Sequence, residues 1–216
     1  MELEPSLSAM VGSCNGLVCC LVKGKSSLER DAIYICNPVI EEYVYLPTLT
    51  YNKACNGYFY YGFGYHHSTD EYKVVRIYYG EVEVYTLGSG QGWRHKGRTE
   101  HRLDYISGVC ANGYLHWIQY RKNEIVAFHL ADEESRLIPF PPISMIRSYK
   151  VVYLQLMFGG YLCAVHMDVG EEDIIVNVWA LGKKKKFNRS YDTGEHAFND
   201  FWGWNKKFSI PCAKEE

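Results

Sequence analysis

The chain has 216 residues, a length that suits one domain with a full hydrophobic core. Lys and Arg total 23 against 25 Asp and Glu, a formal net charge of −2 that argues against nucleic acid or an anionic membrane as partner. Hydrophobic residues at 47% and charged residues at 22% exclude general disorder, and 19 Tyr, 9 Phe and 5 Trp lean the composition toward β structure.

Residues 1–10 carry acids and a proline but no basic segment ahead of an apolar run, so they are read as a lead-in rather than a secretory signal. The first predicted strand, 17–22, follows the turn dipeptide Asn15-Gly16. A second, 33–36, is broken by Asn37-Pro38, and a third, 43–46, ends at Pro47. Asn and Gly tolerate positive φ, whereas Pro fixes φ and removes a donor, so these dipeptides punctuate strands. Next come 60–65, 73–78 and 82–87. Asn112-Gly113 introduces 114–118, which is followed by 125–130, the acidic turn Asp132-Glu133-Glu134, and 136–139. Gly159-Gly160 opens 161–165, and an acidic loop leads to 174–181.

These runs are short, rich in Val, Ile, Tyr and Trp, and show no 3.6-residue period over a helix-length window. Units starting near Gly12, Asn56, Gly108 and Gly159 recur every 45 to 50 residues or so, the span of a four-stranded propeller blade. The pattern predicts an all-β fold, a propeller-like stack of antiparallel meanders; a sandwich suits the same spacing. No run reaches 18 uninterrupted apolar residues, so no transmembrane helix is expected.

Chemistry-bearing patterns are sparse. Cys14, Cys19, Cys20, Cys36, Cys55, Cys110, Cys163 and Cys212 lie mostly in apolar runs without a CxxC, and are read as reduced, mostly buried small hydrophobes of a cytoplasmic or nuclear protein. His66-His67 with Asp70 lacks zinc-like spacing and reads as a solvated hairpin tip. Gly62-x-Gly64 and Gly88-x-Gly90-x-Gly92 lack the strand-to-helix context of a phosphate loop and read as hairpin turns. Asp132-Glu133-Glu134 and the stretch 170–173 read as solvated loops. There is no GxSxG, and apolar runs raise rather than lower thiol pKa values. The expectation is therefore no catalytic, cofactor-binding or metal site, and no cofactor. Lys183 to Lys186 could serve nuclear import or contact an anion, but a solvated loop is the simpler reading. The Asn188-Arg189-Ser190 sequon should be silent without secretion. Phe201 and Trp202 are candidate partner anchors if exposed, and Trp204 reads as a packing residue.

The order of these motifs resembles the plant F-box-associated domain. The resemblance is carried by 12–19, by 35–38 through Leu46-Pro47, and by 61–65 with 68–75. It continues through 82–89 with Trp93-Arg94, 108–109 with 112–117, and 125–128 with Ile138-Pro139. It ends with 159–163, Val178-Trp179, and Trp204 through Ile210-Pro211. Each motif alone is mostly turn chemistry; the whole series in order is specific.

The resemblance implies an F-box-associated β domain over 11–211, with 1–10 as lead-in and 212–216 as a tail. It implies the target-binding part of an SCF-type ubiquitin ligase receptor, whose partners are a target protein for ubiquitination, and a Skp-type adaptor and cullin only where an F-box is supplied. Ten residues before the first motif leave no room for an F-box, and family members usually continue past the Ile-Pro motif. The expected role is non-enzymatic protein recognition through loops 65–71, 88–94, 121–124, 169–173 and 183–190. A small-ligand or glycan-binding module and an enzyme on a propeller scaffold are the competing readings.

Overall fold

The computed structural model describes residues 9–22, 31–48, 59–103, 107–119, 122–143, 152–157, 161–170, 173–183 and 202–213. Cys55, Gly159-Gly160, Lys184 to Lys186, the 188–190 sequon and Phe201 lie outside them. The described residues contain sixteen strands and no α-helix.

The strands form four antiparallel meanders. The first is β1 (Ala9–Cys14), β2 (Leu17–Val22), β3 (Ala32–Asn37) and β4 (Glu42–Tyr45). The second is β5 (Phe59–His66), β6 (Glu71–Tyr78), β7 (Glu81–Thr86) and β8 (Trp93–Arg98). The third is β9 (Ser107–Ala111), β10 (Tyr114–Gln119), β11 (Glu124–His129) and β12 (Ser135–Pro139). The fourth is β13 (Val152–Met157), β14 (Tyr161–Val169), β15 (Asp173–Lys183) and β16 (Trp202–Ala213). Their starts at residues 9, 59, 107 and 152 reproduce the 45- to 50-residue recurrence. β16 runs past residue 211, and β1 begins within 1–10.

The arrangement separates a propeller-type stack from a sandwich, because the cores lie between successive meanders. Val11, Cys19, Ile33 and Ile35 of the first meet Tyr61, Phe63 and Val74 of the second. Val75, Ile77 and Val84 meet Leu115, Trp117, Val126 and Phe128 of the third. Ala111, Ile125, Ala127 and Ile138 meet Leu162 and Leu181 of the fourth. Each meander buries two faces only by having neighbours, and each large core side chain contributes on the order of 1.5–3 kcal/mol.

The second and third meanders are one eight-stranded sheet, joined by a short parallel pairing of β5 and β9 at Tyr61↔Ser107 and Gly62↔Gly108. Trp117 sits against this junction, 1% exposed, its Nε1 donating to Tyr61 O at 3.1 Å. The glycines there are packing residues. A Cβ at Gly62 would lie 2.7 Å from Leu115 Cδ1, and one at Gly108 would lie 2.5 Å from the Trp117 ring. This corrects the reading of Gly62-x-Gly64 as turn glycines: both lie within β5. Gly88, Gly90 and Gly92 do occupy a turn, all at positive φ.

β1, β8, β9, β13 and β16 lie outside the runs predicted as strands. β1 and β9 are built of small residues that let inner strands approach closely, and so lack the apolar alternation that marks a strand. β16 carries Gly203, Asn205, Lys206-Lys207 and Pro211, which suppress the signal; the proline is tolerated because, among the described residues, β16 is an edge strand paired with β15.

Candidate functional site

One end of the stack gathers turns from the first three meanders together with the start of β14 and the end of β15 in the fourth. Antiparallel alternation puts the first-to-second and third-to-fourth connections of each meander at the same end. The parallel β5–β9 pairing orients the second and third meanders alike. Cys14, at the end of β1, receives the Tyr65 backbone N–H at the end of β5. Asn112, in the β9–β10 turn, lines one groove with Tyr161 at the start of β14. The turn face therefore carries Asn15-Gly16, 38–41, 67–70, 87–92, Asn112-Gly113 and 130–134.

This geometry sorts the loops singled out from sequence. Loops 65–71 and 88–94 share the turn face, as does Lys183 at the end of β15; the rest of 184–190 is outside the described residues. Loops 121–124 and 169–173 fall at the opposite end. The five therefore do not form one surface.

The turn face is held by a buried ion cluster. Glu133, in the β11–β12 turn at φ 60°, accepts from Lys73 Nζ at 2.9 Å and from Arg94 at 2.6 and 2.8 Å, with Lys96 Nζ at 2.5 Å. Lys73 also donates to Leu130 O at 2.6 Å and lies 3.0 Å from Glu71. Burial favours the neutral acid, but hydrogen bonds from Arg94, Lys96 and Lys73 reverse this and hold the Glu133 carboxyl at about 2. The side chain is 5% exposed. This corrects the reading of Asp132-Glu133-Glu134 as a solvated loop: its middle residue clamps the third meander to β6 and β8 of the second. Sequence spacing could not reveal it, because the cations lie 39 and 60 residues away.

Beside it is a ring cluster. Tyr114 and His129 stack with centroids 4.4 Å apart, and the His66 ring meets His129 edge-on at 5.1 Å. His129 Nδ1 lies 2.8 Å from Asp132 Oδ2, which also accepts from Arg136 at 2.6 Å. The His66 ring covers Gly113, where a Cβ would stand 2.7 Å from it. Burial, then the proximity of His129 and Lys73, push the His66 pKa below its ordinary value. The hairpin-tip reading holds for residues 67–70, and Asp70 accepts from Tyr65 Oη at 2.7 Å. His66 itself packs rather than projecting into solvent. Among the described residues, no three His, Cys, Asp or Glu side chains converge in a metal-binding group.

An open groove of about 460 Å³ lies between the β9–β10 turn and the fourth meander. Asn112, Tyr161, Gly182, Trp202, Asn205 and Lys207 line it. Tyr161 is 54% exposed and Trp202 is half-buried. Trp202 and Trp204 both pack against the core between the third and fourth meanders. Trp202 also lines the groove, and Trp204 Nε1 donates to Pro139 O at 2.8 Å.

Four four-stranded meanders with inter-meander cores and a shared turn face define an all-β domain of the propeller type. The chain belongs to the F-box associated beta propeller domain family, whose model matches residues 2–199. It is similar to an Arabidopsis thaliana F-box protein, 30% identical over 87% of this chain and 51% of the relative. An F-box/LRR-repeat/kelch-repeat protein of the same plant is 27% identical over 81% of this chain and 50% of its own length. The Arabidopsis F-box protein CPR1 is 28% identical over 82% and 48%. The chain spans about half the length of the curated relatives it matches.

Proposed function

We propose that this domain is the target-capturing part of an SCF-type ubiquitin ligase receptor, and that a protein target docks on the turn face in the groove beside Asn112. The role is recognition rather than catalysis, in the cytoplasm or nucleus. The observation that carries the reading is the open groove: Tyr161 and Trp202 offer apolar rings, Asn112 and Asn205 offer paired donors and acceptors, and Lys207 offers charge. Aromatic anchors flanked by polar groups are the composition of interface hot spots. The clamp at Glu133 and the junction at Trp117 keep the supporting strands rigid, so little ordering entropy is lost on docking. The Skp-type adaptor and cullin would be reached only through an F-box. Glycan stacking on Tyr161 beside the two Asn amides is the second reading, since a sugar uses the same groups.

The test is affinity purification of the tagged chain from plant extract with the proteasome blocked, alongside Tyr161→Ala and Lys207→Glu. The expected result is a defined set of proteins that both substitutions reduce at least tenfold, without adaptor or cullin unless an F-box is fused. Capture unchanged by both substitutions would remove the groove from the proposal. Saturable binding to a glycan array, lost in Tyr161→Ala, would replace a protein target with a sugar.

A further inference from the structure

Two thiols from different meanders meet beneath the turn face. Cys14 ends β1 and Cys110 lies in β9, strands whose Cα atoms approach within 8 Å. They meet because the neighbouring position of β5 is Gly64: a Cβ there would stand 2.3 Å from Cys110 Sγ. The Cys110 thiol hydrogen-bonds to the Cys14 sulfur, and the Tyr65 backbone N–H reaches the same pair. Both cysteines are half-buried free thiols. The seven described cysteines are all free, and only Cys19, Cys20 and Cys163 are buried, which corrects the sequence reading of mostly buried thiols.

We propose that Cys14 and Cys110 are a peroxide-responsive dithiol that closes to a disulfide tying the first meander to the third. The Cys14 thiolate attacks one oxygen of hydrogen peroxide; the O–O bond breaks, the leaving hydroxide takes a proton as water, and Cys14 becomes a sulfenic acid. The Cys110 sulfur then attacks the sulfenyl sulfur, the S–O bond breaks, and hydroxide leaves with the Cys110 proton as a second water. Two thiols lose two electrons and two protons in all, and the peroxide is reduced to water. The assignment of roles follows the contacts. The hydrogen bond from Cys110 outweighs burial, and the Tyr65 N–H adds to it, so Cys14 is drawn down to about 7 while Cys110 is raised. Cys20 and Cys36 form a neighbouring thiol pair, but burial and Cys20 raise Cys36, making it a slow internal control.

The full chain treated with hydrogen peroxide and digested under non-reducing conditions should yield one linked peptide pair, 2 Da lighter, joining Cys14 to Cys110. Its rate should fall about tenfold per pH unit below about 7 and level off above. In Cys110→Ser, dimedone should trap a sulfenic acid at Cys14. Iodoacetamide mapping of the wild-type chain, which requires no variant to fold, should show Cys14 alkylating at least tenfold faster than Cys36. A bridge between Cys20 and Cys36 with Cys14 and Cys110 left free, or equal alkylation of Cys14 and Cys36, would overturn the proposal.

Discussion

Glu133 stands between Asp132 and Glu134 in a run that looks uniformly solvated, yet the turn's left-handed backbone rotates it inward onto three cations. Removing its charge leaves Lys73, only 4% exposed at the side chain, without its main counter-ion. Glu133→Gln should lower stability by about 3–5 kcal/mol in urea denaturation at pH 7. The pH window follows from the direction of the shift. A carboxyl held at about 2 in the folded chain and near 4.5 when unfolded stabilises fully above about 4.5, and loses this as pH falls toward 2. The urea midpoints of wild type and variant should therefore converge across that interval; a gap that persists unchanged to pH 2 would mean that the charge is not what stabilises. The difference must be measured rather than the wild-type curve alone. Burial holds the His116 imidazole at about 4, so the unfolded chain gains that proton first and stability also declines from about 6.5 to 4.

At the scale of the element, the strands rich in β-branched and aromatic residues were legible, and those built of small or polar residues were not. Runs such as 73–78 and 125–130 announce themselves through β-branched and aromatic residues that fill the spaces between meanders. β9 reads Ser-Gly-Val-Cys-Ala because Trp117 occupies the volume its side chains would need. The strand is defined by a residue of its neighbour, which local pattern cannot show. Gly108→Ala should accordingly cost about 1–3 kcal/mol in thermal or urea unfolding, because a rigid indole cannot yield 1 Å without disturbing its bond to Tyr61 O. Wild-type stability and unchanged tryptophan fluorescence in that variant would sink the packing account. The groove was half legible: Trp202 stood out by composition, whereas Tyr161, Asn112 and Lys207 come together only through the stacking of the third meander on the fourth.

At the scale of the whole molecule, the two terminal meanders each leave an apolar face without a meander packed on it among the described residues. On the first, Tyr34, Tyr43 and Tyr45 form an aromatic cluster in which Tyr43 is 64% exposed. On the fourth, Phe208 pairs with Val178 and is 60% exposed, with Ile210 beside Val176. Contiguous patches of this kind drive association. Sedimentation velocity of the isolated chain should show reversible self-association at micromolar concentration, shifted toward monomer by Tyr43→Lys with Phe208→Lys. A monomer at every concentration, with a single sharp urea transition, would mean that these faces are tolerated as they stand.

The β5–β9 junction also sets the order in which the molecule can be assembled. Every other strand pairing among the described residues joins neighbours in sequence, so each meander needs only its own residues to establish its hydrogen-bond ladder. The two residue pairs at Tyr61↔Ser107 and Gly62↔Gly108 form only after the whole second meander and its connection have been threaded between them. As the chain leaves the ribosome, the meanders are thus ready in succession, and the event that commits them to one body is the seating of Trp117 across a seam that no single meander can make.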